Sequence, residues 1–376
     1  MNKRILICGG GTAGHIYPAV SVIEEIIENY RDTDILYIGT DKGMEKKIIE
    51  GLNICFKMVK SAGLIQKGNP AKKIKNYFKF IFNLSSGFLS SIKLINAFKP
   101  DIILGMGGYV CAPVLLGAIF LRRKFVLHEQ NFIPGRLNKF FSKFCMRIFI
   151  SFKDTGKFLN IPAKKIVFSG NPVRKIIREA LNKRPNYEKY GLSEGKFTVT
   201  AFGGSLGADK INSSLIELSE KLKDRKDMQF LLISGNRFYD NLKKNNTSTA
   251  AHNLSLRIFP YIDEMDEVYN ITDLLISRSG ANTIAEIASC NIPAILIPYP
   301  AAISNHQYFN ASFLEKNGKA IIINDENLDG ERLSSIIVDL EKENKKLYNN
   351  LKHKEIDFDF LNGYKTLTRF LIGEKN

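Results

Sequence analysis

Short apolar runs alternate with longer amphipathic stretches along the chain. Residues 4–8, 35–38, 54–59, 102–104, 125–128 and 147–150 are compact runs rich in Ile, Leu, Val and Phe. Their length and continuous apolarity predict strands buried on both faces. Between them, residues 19–29, 72–98 and 135–144 carry helical patterns. This alternation predicts a parallel sheet covered by helices on both sides. The pattern then restarts, with predicted strands at 197–202, 229–233, 255–259, 274–277 and 294–297. Helices are predicted at 208–222, 281–288 and 306–316. Two doubly wound, Rossmann-like α/β domains in series are therefore expected, residues 1–169 and 170–350. The segment Ser169-Gly170-Asn171-Pro172-Val173-Arg174 is the joint, because Gly and Pro punctuate it. A last helix at about 355–370, within a C-terminal segment 351–376, is expected to pack back on the first domain.

Charge sharpens this division. The net charge is +16. Residues 1–170 hold 26 Lys and Arg against 11 Asp and Glu, whereas residues 171–376 hold 28 against 27. The first half alone is therefore expected to face an anionic partner, and both nucleic acid and an anionic membrane surface fit. No helix-turn-helix, RRM or finger signature supports nucleic acid. The five cysteines are scattered without a CxxC spacing, which argues against structural zinc and a disulfide framework and fits a reducing compartment. The N-terminal apolar run stops at Gly9 and reads as a first strand, not a signal peptide. No run reaches the ~18 apolar residues that a membrane span needs.

Ligands of open α/β sheets bind beyond the carboxyl ends of the strands, and two sheets facing each other would form a cleft for two ligands. Three such ends are glycine-rich. Residues 8–15 read Cys-Gly-Gly-Gly-Thr-Ala-Gly-His, residues 105–109 Gly-Met-Gly-Gly-Tyr, and residues 201–208 Ala-Phe-Gly-Gly-Ser-Leu-Gly-Ala. Glycines let backbone N–H groups approach a phosphate, and a following helix start adds partial positive charge. The first loop alone matches GxGxxG, so an NAD-dependent dehydrogenase is a rival, with Asp41 as its ribose acid. Three loops in two domains exceed one dinucleotide's needs; two diphosphates, one per domain, would use them all. At Ser277-Arg278-Ser279-Gly280, a Ser/Gly turn opens a helix that places Thr283 and Glu286 on its first turns. Phosphate at that helix start, with the carboxylate accepting from ribose hydroxyls, describes a nucleotide diphosphate. The alternative is a capped helix whose Glu favours the positive end. Residues 298–311 open on the same side, and His306, Gln307 and Asn310 could bond a sugar.

Gly-Gly-Gly-Thr-Ala-Gly-His at 9–15, Gly-Met-Gly-Gly-Tyr at 105–109, His-Glu-Gln-Asn at 128–131, Gly-Asn-Pro-Val-Arg at 170–174, Phe-Gly-Gly-Ser at 202–205, Ser-Arg-Ser-Gly-Ala at 277–281 and His-Gln…Asn-Ala at 306–311 together resemble the MurG family of N-acetylglucosamine transferases. The resemblance implies the GT-B fold. It implies inverting transfer of N-acetylglucosamine from UDP-N-acetylglucosamine to undecaprenyl-diphosphate-linked muramoyl-pentapeptide (lipid I), giving lipid II. It places the enzyme peripherally on the cytoplasmic face of the bacterial membrane. By similarity the donor side includes Ser205 at the diphosphate, Ile262 at the uracil, Glu286 at the ribose, and His306, Gln307 and Asn310 at the sugar. Ser279, Gly280, Thr283, Thr12, Gly14, Asn131 and Arg174 complete it. The acceptor side comprises Gly11, Thr12, Gly14, His15, Gly107, Gly108, Tyr109, Glu129 and Asn131. Many relatives carry Gln where this chain has Leu206, and some a Gln pair at His306-Gln307.

Charge grows on the leaving diphosphate, so N–H groups and a helix start aimed at it should lower the barrier and make a metal or other cofactor dispensable. Asp32-Thr33-Asp34 and Asp357-Phe358-Asp359 are poorly placed for a catalytic metal and read as solvated surface acids. His15 is the candidate base; the alternatives are a ligand to acceptor phosphate and a structural helix-start residue. Rival readings are a non-catalytic nucleotide-binding protein on membranes, another UDP-sugar-dependent lipid glycosyltransferase and a UDP-sugar epimerase.

Overall fold

The computed structural model describes residues 2–40, 44–61, 63, 69–204, 207–244, 255–354 and 362–374, with side chains at 70–72, 181, 243–244 and 343–344 excepted. Asp41, Ser205, Leu206, the 357–359 acids and the start of the predicted last helix lie outside the described residues, as does the Lys72 side chain. The chain divides into two compact units, Met1–Arg174 with Phe358–Asn376, and Lys175–Asp357.

In the first unit, β1 (Lys3–Cys8), β2 (Thr33–Gly39), β3 (Cys55–Met58), β4 (Ile102–Gly105), β5 (Phe125–Glu129), β6 (Ile148–Ile150) and β7 (Ile166–Phe168) form a sheet in the order β3-β2-β1-β4-β5-β6-β7. Every pairing is parallel. Successive strand residues face opposite sides, and the core divides accordingly. Leu6, Leu36, Ile38 and Ile103 pack with Val114 and Leu115 on one face. Ile5, Ile7, Tyr37 and Leu104 pack with Ile16 and Ile23 on the other. That second face also takes Leu367 and Leu371 from the C-terminal helix Gly363–Ile372. Phe149 meets Phe370 at 5.2 Å.

In the second unit, β8 (Phe197–Phe202), β9 (Met228–Ile233), β10 (Leu256–Phe259), β11 (Leu274–Ser277), β12 (Ala294–Leu296) and β13 (Ala320–Ile322) run in the order β10-β9-β8-β11-β12-β13, again all parallel. Val199, Ala201 and Ile276 pack with Ile211 and Leu215 and with Leu333, Ile336 and Leu340 of the long helix Gly330–His353. Asp329 caps that helix by accepting from Arg332 N at 2.7 Å.

Strand order reverses between β1 and β4 in one sheet and between β8 and β11 in the other. Such switch points are where open α/β sheets leave a crevice. All three glycine loops and the Ser/Gly turn leave the carboxyl ends of these four strands.

Candidate functional site

At the first switch point Cys8 stands in register with Gly105, and Met106 N donates to Cys8 O at 2.8 Å. The two glycine loops therefore start side by side and press together. Gly108 has φ +83°, and a Cβ there would lie 2.1 Å from Gly10 O. Gly107 has φ +103°, and a Cβ there would lie 2.8 Å from the His15 ring. Only glycine permits these approaches. Gly11 faces open space, and exposed Thr12 starts the helix Ala13–Asn29, with Gly14 in its first turn and no side-chain cap bond from Thr12. The Tyr109 ring is exposed.

His15 rests on Gly107 and is tied to a second motif. Its Nδ1 lies 3.1 Å from Gln130 Oε1. Gln130 Nε2 donates to Met106 O at 2.9 Å and meets His128 Nδ1 at 3.0 Å. His128 Nε2 lies 3.1 Å from Gly170 O. Burial pushes the His128 pKa down to about 4, with the Gly170 carbonyl opposing and His15 adding to the fall. Sequence reasoning quoted both His128 and Gln130 within a motif but gave neither a task.

Glu129, expected at the acceptor, is buried. Its Oε1 accepts from Asn131 N at 3.0 Å and Asn131 Nδ2 at 3.4 Å. Its Oε2 accepts from Gly135 N and Asn138 Nδ2, each at 2.9 Å. The carboxylate thus pins the backbone of residues 131–138, and it turns the Asn131 amide toward itself. Arg174 belongs to the first unit. Its guanidinium lies 4.3 Å from the Tyr17 ring centroid, and Ser21 Oγ donates to the neighbouring Val173 O at 2.6 Å.

At the second switch point Phe202 is in register with Ser277. The turn at Gly207, φ +76°, passes so close to Ser234 that a Cβ would lie 2.4 Å from its carbonyl oxygen. Gly280 is the N-cap of the helix Ala281–Cys290, and Thr283 and Glu286 share one of its faces. Glu286 is buried, and Tyr269 Oη donates to its Oε2 at 2.7 Å. The Tyr269 partner went unseen because it lies on another helix, Met265–Asn270. Burial, reinforced by the charges of Glu286 and Asp266, pushes the Cys290 thiol up to about 12.

The loop after β12 is stapled onto the Ser/Gly turn. Ser279 Oγ donates to Gln307 O at 2.8 Å, and Asn310 Nδ2 donates to Ser279 O at 3.1 Å. Asn310 is wholly buried, and through this bond it holds the loop on the turn. Gln307 Oε1 accepts from Tyr299 N at 3.0 Å. Arg278 Nη1 donates to Ile297 O and Pro298 O at 3.2 and 3.3 Å. Ser304 and Asn305, at φ +53° and +52°, kink the chain before the helix His306–Lys316, and His306 Nδ1 meets Ile303 O at 2.8 Å. The Ile262 side chain is buried.

Two family models match, the glycosyltransferase family 28 N-terminal domain over residues 5–150 and its C-terminal domain over residues 198–363. A UDP-N-acetylglucosamine–N-acetylmuramyl-(pentapeptide) pyrophosphoryl-undecaprenol N-acetylglucosamine transferase of Caldanaerobacter subterraneus is 40% identical over 333 residues, 88% of each chain. The chain belongs to the MurG family. A protein of the same name from Bacillus subtilis is 39% identical over 331 residues, again 88% of each chain. Among solved structures the fold is similar to that of MurG from Acinetobacter baumannii, at TM-score 0.72 and 23% identity over 99% of both chains. It is also similar to a UDP-GlcNAc 2-epimerase from Neisseria meningitidis, at TM-score 0.68 and 13% identity over 99% of this chain and all of that one. Membership of this family accounts for the paired glycine loops and for the turn at Ser277–Gly280 as parts of a glycosyltransferase.

Proposed function

We propose that this chain transfers N-acetylglucosamine from UDP-N-acetylglucosamine to the muramoyl sugar of lipid I, forming lipid II. One observation carries the reading: the chain is 40% identical to a transferase of that name across 88% of both sequences. The epimerase likeness is one of fold alone. In this reading the donor diphosphate sits at the glycine loop after β8 and at the Gly280 helix start, where partial positive charge meets the charge developing on the leaving group. Glu286, oriented by Tyr269, accepts from a ribose hydroxyl. The Gln307 amide nitrogen and His306 face the sugar. Ile262, with its side chain buried, contributes through its backbone. The glycine loops after β1 and β4 hold the acceptor diphosphate beside Tyr109, and His15 takes the proton of the attacking hydroxyl.

A transfer assay with a short-chain lipid I analogue tests the function. UDP release should require the acceptor. Acceptor-independent conversion of UDP-N-acetylglucosamine to its 2-epimer would replace this reading with an epimerase. For His15, general-base help is typically worth about 10²–10⁴ in rate. His15→Ala should lower kcat within that range with the donor KM unchanged. Wild-type kcat and acceptor KM in that variant would reduce His15 to a helix-start residue.

The same reading places the enzyme peripherally on a membrane. Among the described residues no helix is long and apolar enough to cross one. The support for attachment is the exposed apolar and basic face of the helix Pro70–Phe98.

A further inference from the structure

We infer that Gln130 is a positioning residue for the transfer: its carboxamide fixes the His15 proton on Nδ1 and so leaves the imidazole lone pair on Nε2. The inference rests on the reading of His15 as proton acceptor. It follows from which atoms can donate. A Gln amide has one donor end and one acceptor end. Met106 O only accepts, so the Gln130 end 2.9 Å away is the NH₂ group. The other end is then the carbonyl oxygen, which also only accepts. His15 Nδ1, 3.1 Å from it, must therefore carry hydrogen. A neutral imidazole holds one ring proton, so Nε2 holds the lone pair.

The second N–H of the amide leads to the same arrangement. It meets His128 Nδ1 at 3.0 Å, which makes that nitrogen an acceptor and puts the His128 proton on Nε2. That proton points at Gly170 O, 3.1 Å away, again a pure acceptor. Two backbone carbonyls, Met106 O and Gly170 O, therefore set the polarity of the whole chain. Turning the amide over would set oxygen against oxygen at Met106, and its oxygen would demand the proton on His128 Nδ1, leaving a bare Nε2 lone pair against Gly170 O. Gln130 and His128 are both buried, so water does not offer substitutes. His128 must be neutral to accept, and its buried setting keeps it so down to about pH 4. Gly107, lacking a side chain, leaves room for the His15 ring in this position.

Wrong-tautomer imidazole is a severe defect in a base; in the serine-protease triad it costs up to about 10⁴ in kcat. The decisive measurement is the tautomer of neutral His15 in the full-length protein, read from long-range ¹H–¹⁵N correlations and assigned by the signals lost in His15→Gln. Wild type should show protonated Nδ1. Gln130→Met, similar in length but without either hydrogen bond, should move the population toward Nε2–H. It should lower kcat at least about tenfold while the donor KM stays within about twofold. A wild-type His15 protonated on Nε2, or a His15 spectrum unchanged in Gln130→Met, overturns the inference. If that variant does not fold, the wild-type spectrum decides alone. His15→Gln with wild-type kcat would instead remove the proton-acceptor role and leave the tautomer assignment standing, so the two failures are distinct.

Discussion

Glu286 is a carboxylate in which one oxygen is already engaged, by Tyr269 at 2.7 Å. That bond steers the other oxygen, so the proposed ribose contact would be sensitive to a residue that no motif marks. Glu286→Ala removes charge-assisted bonds worth roughly 1.5–3 kcal/mol, so the donor KM should rise about tenfold or more. Tyr269→Phe should raise it less, through misorientation alone. Steady-state kinetics with each substrate varied in turn separates these from any acceptor effect, and a normal donor KM in folded Glu286→Ala would remove the ribose role. His128 makes a prediction of a different kind. Its pKa falls from the ordinary 6.5 to about 4 because it is buried. Below pH 6.5 the unfolded chain binds a proton that the folded chain refuses. Its contribution to stability is therefore intact above that pH and is lost progressively down to about pH 4, by roughly 3 kcal/mol in all. Thermal unfolding across that window should show a flatter pH dependence in His128→Gln than in wild type; equal slopes would mean that His128 is not held neutral. At this scale the motifs name the residues, whereas the partners of those residues depend on the fold. Glu129 and Asn310 stand inside the motifs, and each also bonds the loop beside it, because a buried carboxylate gathers donors and a buried amide must bond what lies beside it.

The glycine loops show what the linear pattern conveys about elements and what it withholds. That each loop ends a strand was readable from the apolar runs. That residues 9–14 and 105–109 press against each other depends on β1 and β4 being neighbours, which is a property of strand order. Gly108 tests the contact. A methyl group 2.1 Å from Gly10 O, on a backbone at φ +83°, forces one loop away from the other. Gly108→Ala should cost several kcal/mol or shift the loop, since strain of this kind alone is worth about 1–3 kcal/mol per residue. Gly11→Ala, with open space around it, should incur only the conformational cost, roughly 1–2 kcal/mol. Melting curves of the two variants should differ in that order, and equal stabilities would show that the loops do not touch. Several elements were missed, among them the helices Glu45–Glu50 and Cys111–Phe120 and the three-residue strands β7 and β13, which are only partly buried, unlike the equally short but fully buried β6 and β12. The helix Gly330–His353 had a legible start in Asp329, but its charged, solvent-facing side dilutes the apolar stripe of Leu333, Ile336, Ile337 and Leu340.

Over the whole molecule the basic excess belongs to residues 1–170, and the structure shows where apolar surface accompanies it. On the helix Pro70–Phe98, Ile74, Tyr77, Phe78, Ile81, Phe82 and Leu89 are exposed at helical spacing, Phe78 at 68% and Phe82 at 65%. Exposed Lys73, Lys75 and Lys79 lie among them. Phe120, also exposed, meets Phe88 edge-on at 5.8 Å, and the basic run Arg122-Arg123-Lys124 follows it. A soluble surface seldom leaves so many large apolar groups together without a partner. Aromatic rings entering an interface, with lysines on anionic headgroups, is the arrangement of a peripheral membrane face. Each basic contact contributes roughly 1 kcal/mol and weakens as salt screens it. Changing Lys72, Lys73, Lys75, Arg122 and Arg123 to Glu should therefore abolish co-sedimentation with anionic vesicles. Phe78→Ser with Phe82→Ser should weaken it while leaving its salt dependence in place, because apolar burial is not screened. Neither set alters a residue of the glycine loops or of the second unit's sequence, so turnover of a water-soluble acceptor analogue should continue in both. Undiminished vesicle binding by the five-residue variant would show that the charge asymmetry serves something other than a membrane.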